Sequence, residues 1–531
     1  MKPEIIFALL LALALAASGH GQSSAAHSTA AAGWWSHVEV LADDKLEGRD
    51  TGSEGYRRAA AYVASQFARA GLKPGGTSGY FQSIRFKSRR ILEEQSSLSL
   101  VRNGMEEPIN LGGEAMINMR VEPAAHVEAP LVFIGYGLHA PAINYDDLAG
   151  LDLKGKVAVL LIGSPPNLSV PVRAYYQSKG WSSLRAAGAV GLIAIQNPQD
   201  KELPWARGTL ARLMPALTLA DASLAESSGQ RLSVTLNPAA AEKFFAGSGH
   251  TFQEIADLDR AGKPLPKFAL AVSVRASVAV ETARLESPNV IGILLGNDPK
   301  LKHQYVVISA HLDHLGVGKP INGDTIYNGA MDNASGVAAL IETAMALQAA
   351  HTHLRRSVIF LALTGEEKGL LGSKYFVAHP PVPASSIVAD VNTDMFLPLF
   401  PLRSLIVNGL EESDLANDLR HVGEALKIKI IFDPEPERNA FIRSDQYSFI
   451  RRGIPSVSLK MGFTKDSPEY EIIKRWRTEH YHAPSDDLKQ TVDLQAAADY
   501  NRLLLNVVEM ISNRLTRPEW NKDSIFKRLI D

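Results

Sequence analysis

The sequence predicts an α/β fold with a mixed, largely parallel sheet flanked by helices, interrupted by a β-rich insertion. Three observations carry this expectation. From residue 289 onward, strand-like runs such as NVIGILLG, YVVISAH and SVIFLALTG alternate with helix-like ones such as NASGVAALIETAMALQAA. That alternation is the pattern of helices packed on both faces of a sheet. Between 90 and 280 the character changes to short β-like runs (LSLV, APLVFIGYG, KVAVLLIG, GLIAIQ, RLSVTL, FALAVSV) separated by turn residues. Finally, titratable side chains stand at the ends of apolar strands, first in HLDHLG at 311–316 after VVIS at 306–309. In parallel sheets such strand ends form sites.

The elements follow in order. MKPEIIFALLLALALAASGHGQ has a lysine, an apolar run from Ile5 to Ala17 and small residues after it. This is the grammar of a cleaved export signal, placed at 1–20; the run is shorter than the roughly 20 apolar residues a membrane span needs. A periplasmic or secreted protein with no membrane span is expected. Residues 34–92 form the first part of the main domain, where YRRAAAYVASQFARAGLKPGG is helical and stops at Gly71 and Pro74. Residues 93–280 are the insertion, with one helix near 176–188. Residues 281–515 complete the main domain and end in a helix from about Leu488 to Arg514, and 516–531 is a C-terminal tail.

Composition narrows the function classes. The chain has 531 residues, 46% hydrophobic, with 55 Lys plus Arg against 57 Asp plus Glu. It has ample material for a core and lacks the basic footprint of a nucleic-acid binder. There are no cysteines, which excludes disulfides and thiolate ligands. Any metal must be held by His, Asp and Glu.

Four further positions share the placement of His311. Asp332 precedes a helix in NGAMDNASG, Glu366 and Glu367 follow VIFLALTG, Asp394 ends IVADVNTD, and His482 lies in EHYHAPSDD. This supplies one imidazole and one carboxylate for each of two cations, with Asp332 left over to bridge them. Paired metals about 3.5–4 Å apart can share one water and clamp a carbonyl. Zinc suits such ligands, with cobalt or manganese as alternatives. Neighbouring side chains at a strand end point apart, so one of Glu366 and Glu367 can ligate while the other acts as general base. Asp313, two residues on from His311, is placed to orient that imidazole.

Together these segments resemble the co-catalytic dizinc aminopeptidase and glutamate carboxypeptidase family. ISAHLDH, NGAMDNASG, LTGEEKGLLGS, VNTDM and YHAPSDD occur in the family's order, and LADDKLEGRDTGSEGYRRAAAYVASQF, GYFQ, SDQYSF and GIPSV resemble further family segments. The resemblance covers about 34–90 and 285–515. It implies a zinc-exopeptidase fold (phosphorylase/hydrolase-like) with two zinc ions per chain: His311 and Asp394 on one, Glu367 and His482 on the other, Asp332 bridging. It implies Glu366 as the base acting on a bridging water, Asp313 as partner of His311, Tyr481 polarising the scissile carbonyl, and a cis peptide at Asp332–Asn333. Gln446 departs from a histidine frequent in the family. FIGYGLHAPAINYDDLAGLDLKGKVAVLLIG and SLRAAGAVGLIAI resemble a protease-associated domain, with its core at about 128–225.

The implied function is exported metallo-aminopeptidase action on peptide substrates. Alternatives are a carboxypeptidase or dipeptidase of the same fold, a glutaminyl-cyclase-like acyltransferase, and a non-enzymatic binding ectodomain. Arg403, Arg438 and Arg443 are loop arginines that a carboxypeptidase would use. His314 and His480 rival His311 and His482 by spacing; the family pattern makes His314 a wall or loop residue. GLLGS and NASGVAAL lack the lysine of a phosphate-binding loop.

Overall fold

The computed structural model describes residues 32–199, 205–350 and 353–529; the predicted export signal lies outside them. The main sheet contains β1 (Phe81–Ile91), β2 (Val280–Leu294), β3 (Tyr305–His311), β4 (Ser357–Leu363), β5 (Ile387–Thr393), β6 (Ser404–Asn408), β7 (Lys429–Ile431) and β8 (Ser456–Met461). Their spatial order is β1-β2-β4-β3-β5-β8-β6-β7. The centre, β4-β3-β5-β8, is parallel, while β1, β2 and β6 pair antiparallel with their inner neighbours.

The apolar runs read as strands because both faces are covered. Val306, Ile308 and Ala310 join Val358, Phe360 and Ala362 in one core; Val307 joins Ile359, Leu361 and Leu363 in the other. This period-two division between two buried faces explains why the strands look uniformly apolar. The helices are α1 (Glu54–Arg69), α2 (Ser335–Ala349), α3 (Leu371–Ala378), α4 (Leu415–Leu426), α5 (Pro468–Glu479) and α6 (Leu494–Asn513). The first core takes Phe67 of α1, Leu340 of α2, Leu419 of α4, Trp476 of α5 and Leu504 of α6; the second takes Phe376 of α3. Ser53 caps α1 by accepting from Tyr56 N. α6 starts later than expected because Asp493 is its cap, accepting from Ala496 N at 2.9 Å. The helix expected at 176–188 is two pieces, Val170–Ser178 and Gly180–Ala186.

The insertion has its own eight-stranded sheet and a core that includes Phe133, Val159, Ile193, Phe244 and Phe245. It is not an appendage on a loop. β1 and β2 pair from Phe81↔Val290 to Ile91↔Val280 as a continuous ribbon leading into it. Residues Ala216–Leu219 return from the insertion to pair with β1. Glu226 pairs with Lys374 and Arg451, and Asp221 with His379, across the two parts. Beyond 515 the chain is not a loose tail: Trp520 and Phe526 pack on Phe441, Tyr447 and Ile450. Among the described residues, no helix is long and apolar enough to cross a membrane.

Candidate metal centre

The parallel strands deliver their carboxyl ends to one edge. His311 is the last residue of β3, Asp394 follows β5 directly, and Glu366 and Glu367 follow β4 after a short turn. Asp332 lies in the turn before α2, and His482 in the loop between α5 and α6. These side chains meet. His311 Nε2 lies 3.2 Å from Asp332 Oδ1 and 3.4 Å from Asp394 Oδ1. His482 Nε2 lies 3.4 Å from Asp332 Oδ2 and 3.3 Å from Glu367 Oε2. Asp332 therefore presents one oxygen to each of two ligand sets. Ligands at zinc's usual 2.0–2.1 Å in a tetrahedron stand about 3.3 Å apart, which matches all four separations.

The surroundings fix these groups. His311 Nδ1 lies 3.0 Å from the Asp313 carbonyl oxygen. A carbonyl only accepts, so Nδ1 carries a proton and Nε2 is the ring atom turned to Asp332 and Asp394. Asp313 thus meets His311 through its main-chain carbonyl. With the imidazole satisfied by that carbonyl, the carboxylate turns to Thr51 Oγ1 at 3.0 Å and Glu366 N at 3.1 Å. Burial pushes the Asp313 carboxyl up to about 6, with His311 opposing and Glu367 adding.

Asp332 is held by a residue that sequence reasoning quoted but gave no role. The buried Asp486 carboxylate accepts from Met331 N at 2.9 Å and Asp332 N at 3.0 Å, and its carbonyl accepts from Ala330 N. The Asp332–Asn333 peptide is cis. Asn333 then ties the two acidic ligand segments together, donating to Thr393 O at 3.0 Å and accepting from Gly336 N and Met395 N. A Cβ at Gly336 would fall 2.4 Å from both Asn333 Oδ1 and Thr393 O, so only glycine lets α2 start this close to β5. Arg49, fully buried, donates to the carbonyls of Leu41, Leu312, Asn328 and Gly329. It thereby joins the chain segments that carry His311 and Asp332.

The two histidine rivalries resolve differently. His480 Nδ1 lies 2.7 Å from Ser485 O, away from the cluster. His482 sits in the left-handed region at φ +52 with Tyr481 stacked on it at 3.9 Å. His314 is fully buried, with Nδ1 2.8 Å from Glu367 Oε1. The burial of Leu312 and Asp313 around it carries this turn inward.

Glu366 lines the cleft above the cluster, as does Tyr481. Burial raises the Glu366 carboxyl well above the usual range; His311 opposes this, while Glu367, Asp445 and Asp394 add to it. Burial likewise pushes the Tyr481 hydroxyl up to about 12. The insertion contributes here too. Arg120 donates through Nη2 to Glu367 O at 2.9 Å, and Glu366 and Glu367 favour its charged form against the effect of burial. No sequence signal marks Arg120, because it acts across 247 residues. Arg120→Ala is expected to lower kcat/KM about tenfold, the scale of one charge-assisted hydrogen bond. Bound metal measured by elemental analysis should not change.

Below the cluster, Asp445 is fully buried with neither oxygen in an aligned hydrogen bond among the described residues. Burial raises its carboxyl from 3.8 to about 7, with His311 and Ser373 opposing and Asp313 and Asp394 adding. An acid raised in this way keeps a proton in the folded state that the unfolded chain has lost. Stability then falls as pH rises from the unfolded to the folded value. In chelator-treated protein, Asp445→Asn is therefore expected to raise Tm at pH 8 and leave it unchanged near pH 4, as read by calorimetry.

The domain is thus a mixed α/β one with carboxylates and imidazoles gathered at the carboxyl ends of its parallel strands. Residues 289–508 match the model of peptidase family M28. Over 245 residues the chain is 29% identical to the protein described as probable leucine aminopeptidase 2 of Aspergillus oryzae, covering 43% of this chain and 46% of that protein. Over 228 residues it is 30% identical to aminopeptidase YwaD of Bacillus subtilis, covering 40% and 44%. The chain thus spans less than half the length of these curated relatives. The solved aminopeptidase from Aneurinibacillus sp. strain AM-1 shares the fold at a TM-score of 0.54, with 19% identity, over 92% of this chain and 98% of that one.

Proposed function

We propose that this chain is a zinc-dependent aminopeptidase. The observation that carries the reading is Asp332 offering one oxygen to each of two ligand sets at tetrahedral spacings. The family match and the aminopeptidase names of the relatives support it. His311, Asp332 and Asp394 would hold one zinc; Asp332, Glu367 and His482 would hold the other. Bound there, the pair would supply Lewis-acid polarisation of the scissile carbonyl and lower the pKa of water. Glu366 takes a proton from the attacking water and returns it to the leaving amine. Its raised proton affinity suits the holding of that proton between the two steps. Tyr481 is placed to donate to the oxygen on which charge develops. Asp313 and Arg120 hold the Glu366–Glu367 turn from opposite sides. We further propose that residues 1–20 direct export and are removed, and that the insertion is protease-associated in type and braces the Glu366–Glu367 turn through Arg120.

The test is metal analysis with a panel of aminoacyl p-nitroanilides, free and N-blocked, before and after chelation. Expected are about two zinc ions per chain, and hydrolysis only of unblocked substrates, lost on chelation and restored by zinc. Metal-free protein of unchanged fold that still turns over would overturn the reading. Hydrolysis of N-blocked peptides with a free C-terminus would move it to a carboxypeptidase.

A further inference from the structure

One wall of the cleft is a loop. Arg438, Ala440, Arg443 and Ser444 line the cleft together with the ligand side chains. They belong to two single-turn helices, Pro436–Arg438 and Ala440–Ile442, and to the turn that follows. Turns this short hold few hydrogen bonds of their own and take their rigidity from what packs on them. Toward the cluster the loop is tied to β5. Asn392 Nδ2 donates to Ser444 Oγ at 2.8 Å and to Gln446 Oε1 at 2.7 Å, and Gln446 Nε2 donates to Phe441 O at 2.9 Å.

Phe441 anchors the loop on its other contacts. Its ring lies against Gly409, where a Cβ would fall 2.4 Å from Phe441 Cε2, so a side chain there would expel it. Phe441 also meets Phe526 edge-on with centroids 5.6 Å apart, and Phe526 meets Trp520 at 5.7 Å. All three rings are buried. Trp520 Nε1 donates to Gly453 O at 2.9 Å, beyond the helical turn that follows the loop.

Trp520 and Phe526 come from outside residues 289–508, which match the family model. Their stretch is held independently of the loop. Asp414 N donates to Glu519 O at 3.0 Å and Asn521 N to Glu412 O at 2.9 Å, with Ser413 and Trp520 paired antiparallel between them. Ser524 Oγ donates to Glu412 Oε2 at 2.6 Å and accepts from Phe526 N at 3.2 Å. Residues 411–414 lead directly into α4, so the rings are carried by the main domain and not by the loop they touch. The insertion reaches the same place: its helix Val170–Ser178 meets both Ala440–Ile442 and Ile525–Leu529.

We propose that residues 519–526 are a positioning element for the substrate cleft: Trp520 and Phe526 hold Phe441, and with it the wall at 438–444, in the arrangement that binds substrate. The inference rests on the aminopeptidase reading and adds a determinant of affinity to it. None of residues 519–526 lines the cleft, so their loss acts on binding and leaves the chemical step to the residues that perform it.

In zinc-loaded protein, Phe526→Ala is expected to raise KM for Leu-p-nitroanilide about threefold or more, because a wall ordered only part of the time binds in proportion to that fraction. The value of kcat should stay within about twofold, with the zinc content unchanged. Phe526→Leu, which keeps most of the apolar volume, should restore KM. Limited digestion by trypsin reads the wall without turnover. Cleavage after Arg438 or Arg443, located by mass spectrometry, is expected to speed up at least about a hundredfold in folded Phe526→Ala, the scale of a deleted buried ring. Should Phe526→Ala fail to fold, Ser524→Ala is the second variant, expected to shift KM and cleavage in the same direction by less. Unchanged KM and unchanged cleavage at both arginines would overturn the proposal. So would a fall in kcat or zinc content that matches the rise in KM, the mark of a general structural role. Faster cleavage in the variant, with no hydrolysis of any panel substrate by the wild-type protein, would uphold the positioning of the wall and overturn the peptidase reading alone.

Discussion

Glu366→Gln is expected to keep the bound zinc and lose kcat by a factor of about 10²–10⁴, the usual contribution of a positioned general base. The substitution preserves the shape of the side chain and removes its ability to take a proton. Glu366 is not needed to complete either ligand set, since the four separations of 3.2–3.4 Å involve His311, Asp332, Glu367, Asp394 and His482 only. The main chain of Glu366 is held through its N–H by Asp313, an interaction the amide leaves intact. Steady-state kinetics with elemental analysis reads both halves of the expectation. Near-normal turnover with full metal would remove Glu366 from its role.

Asp332→Ala is expected to abolish turnover and strip both metal positions together. Replacing a residue that merely supports a ligand costs roughly 10–100-fold in metal affinity; this one supplies an oxygen to each position. The effect should be asymmetric with Glu367→Ala, which leaves the His311–Asp394 half intact and is expected to retain the metal of that half. The stabilisation that wild-type protein gains from excess zinc, which grows as the logarithm of metal over Kd, should vanish in Asp332→Ala. Elemental analysis and thermal unfolding with and without zinc check this. Retention of one full equivalent would show that the carboxylate does not bridge.

How far this site could be read from the sequence depended on where each interaction is decided. His311, Glu366, Glu367 and Asp394 are legible because each closes an apolar run, and a run buried on both faces leaves a polar terminus only where the sheet ends. Asp332 and His482 needed the ordered family segments, since nothing in their own loops separates them from ordinary turns. Asp486 stands in one of those segments, yet its task is set by a contact spanning 154 residues. Arg120 is silent for the same reason: a cation in a loop acquires meaning only from what faces it. Spacing pointed to no particular atom of Asp313, and the contact to His311 runs through its carbonyl. Gln446, where family members often carry histidine, is buried and accepts from Asn392 Nδ2 at 2.7 Å, so it serves packing beneath the cluster.

The ribbon made by β1 and β2 runs through the junction between the two parts of the molecule without a break in pairing. A hinge needs a few residues free to rotate, and this crossing offers none. The insertion is therefore carried by paired strands, as a beam is by its support, and not by a free linker.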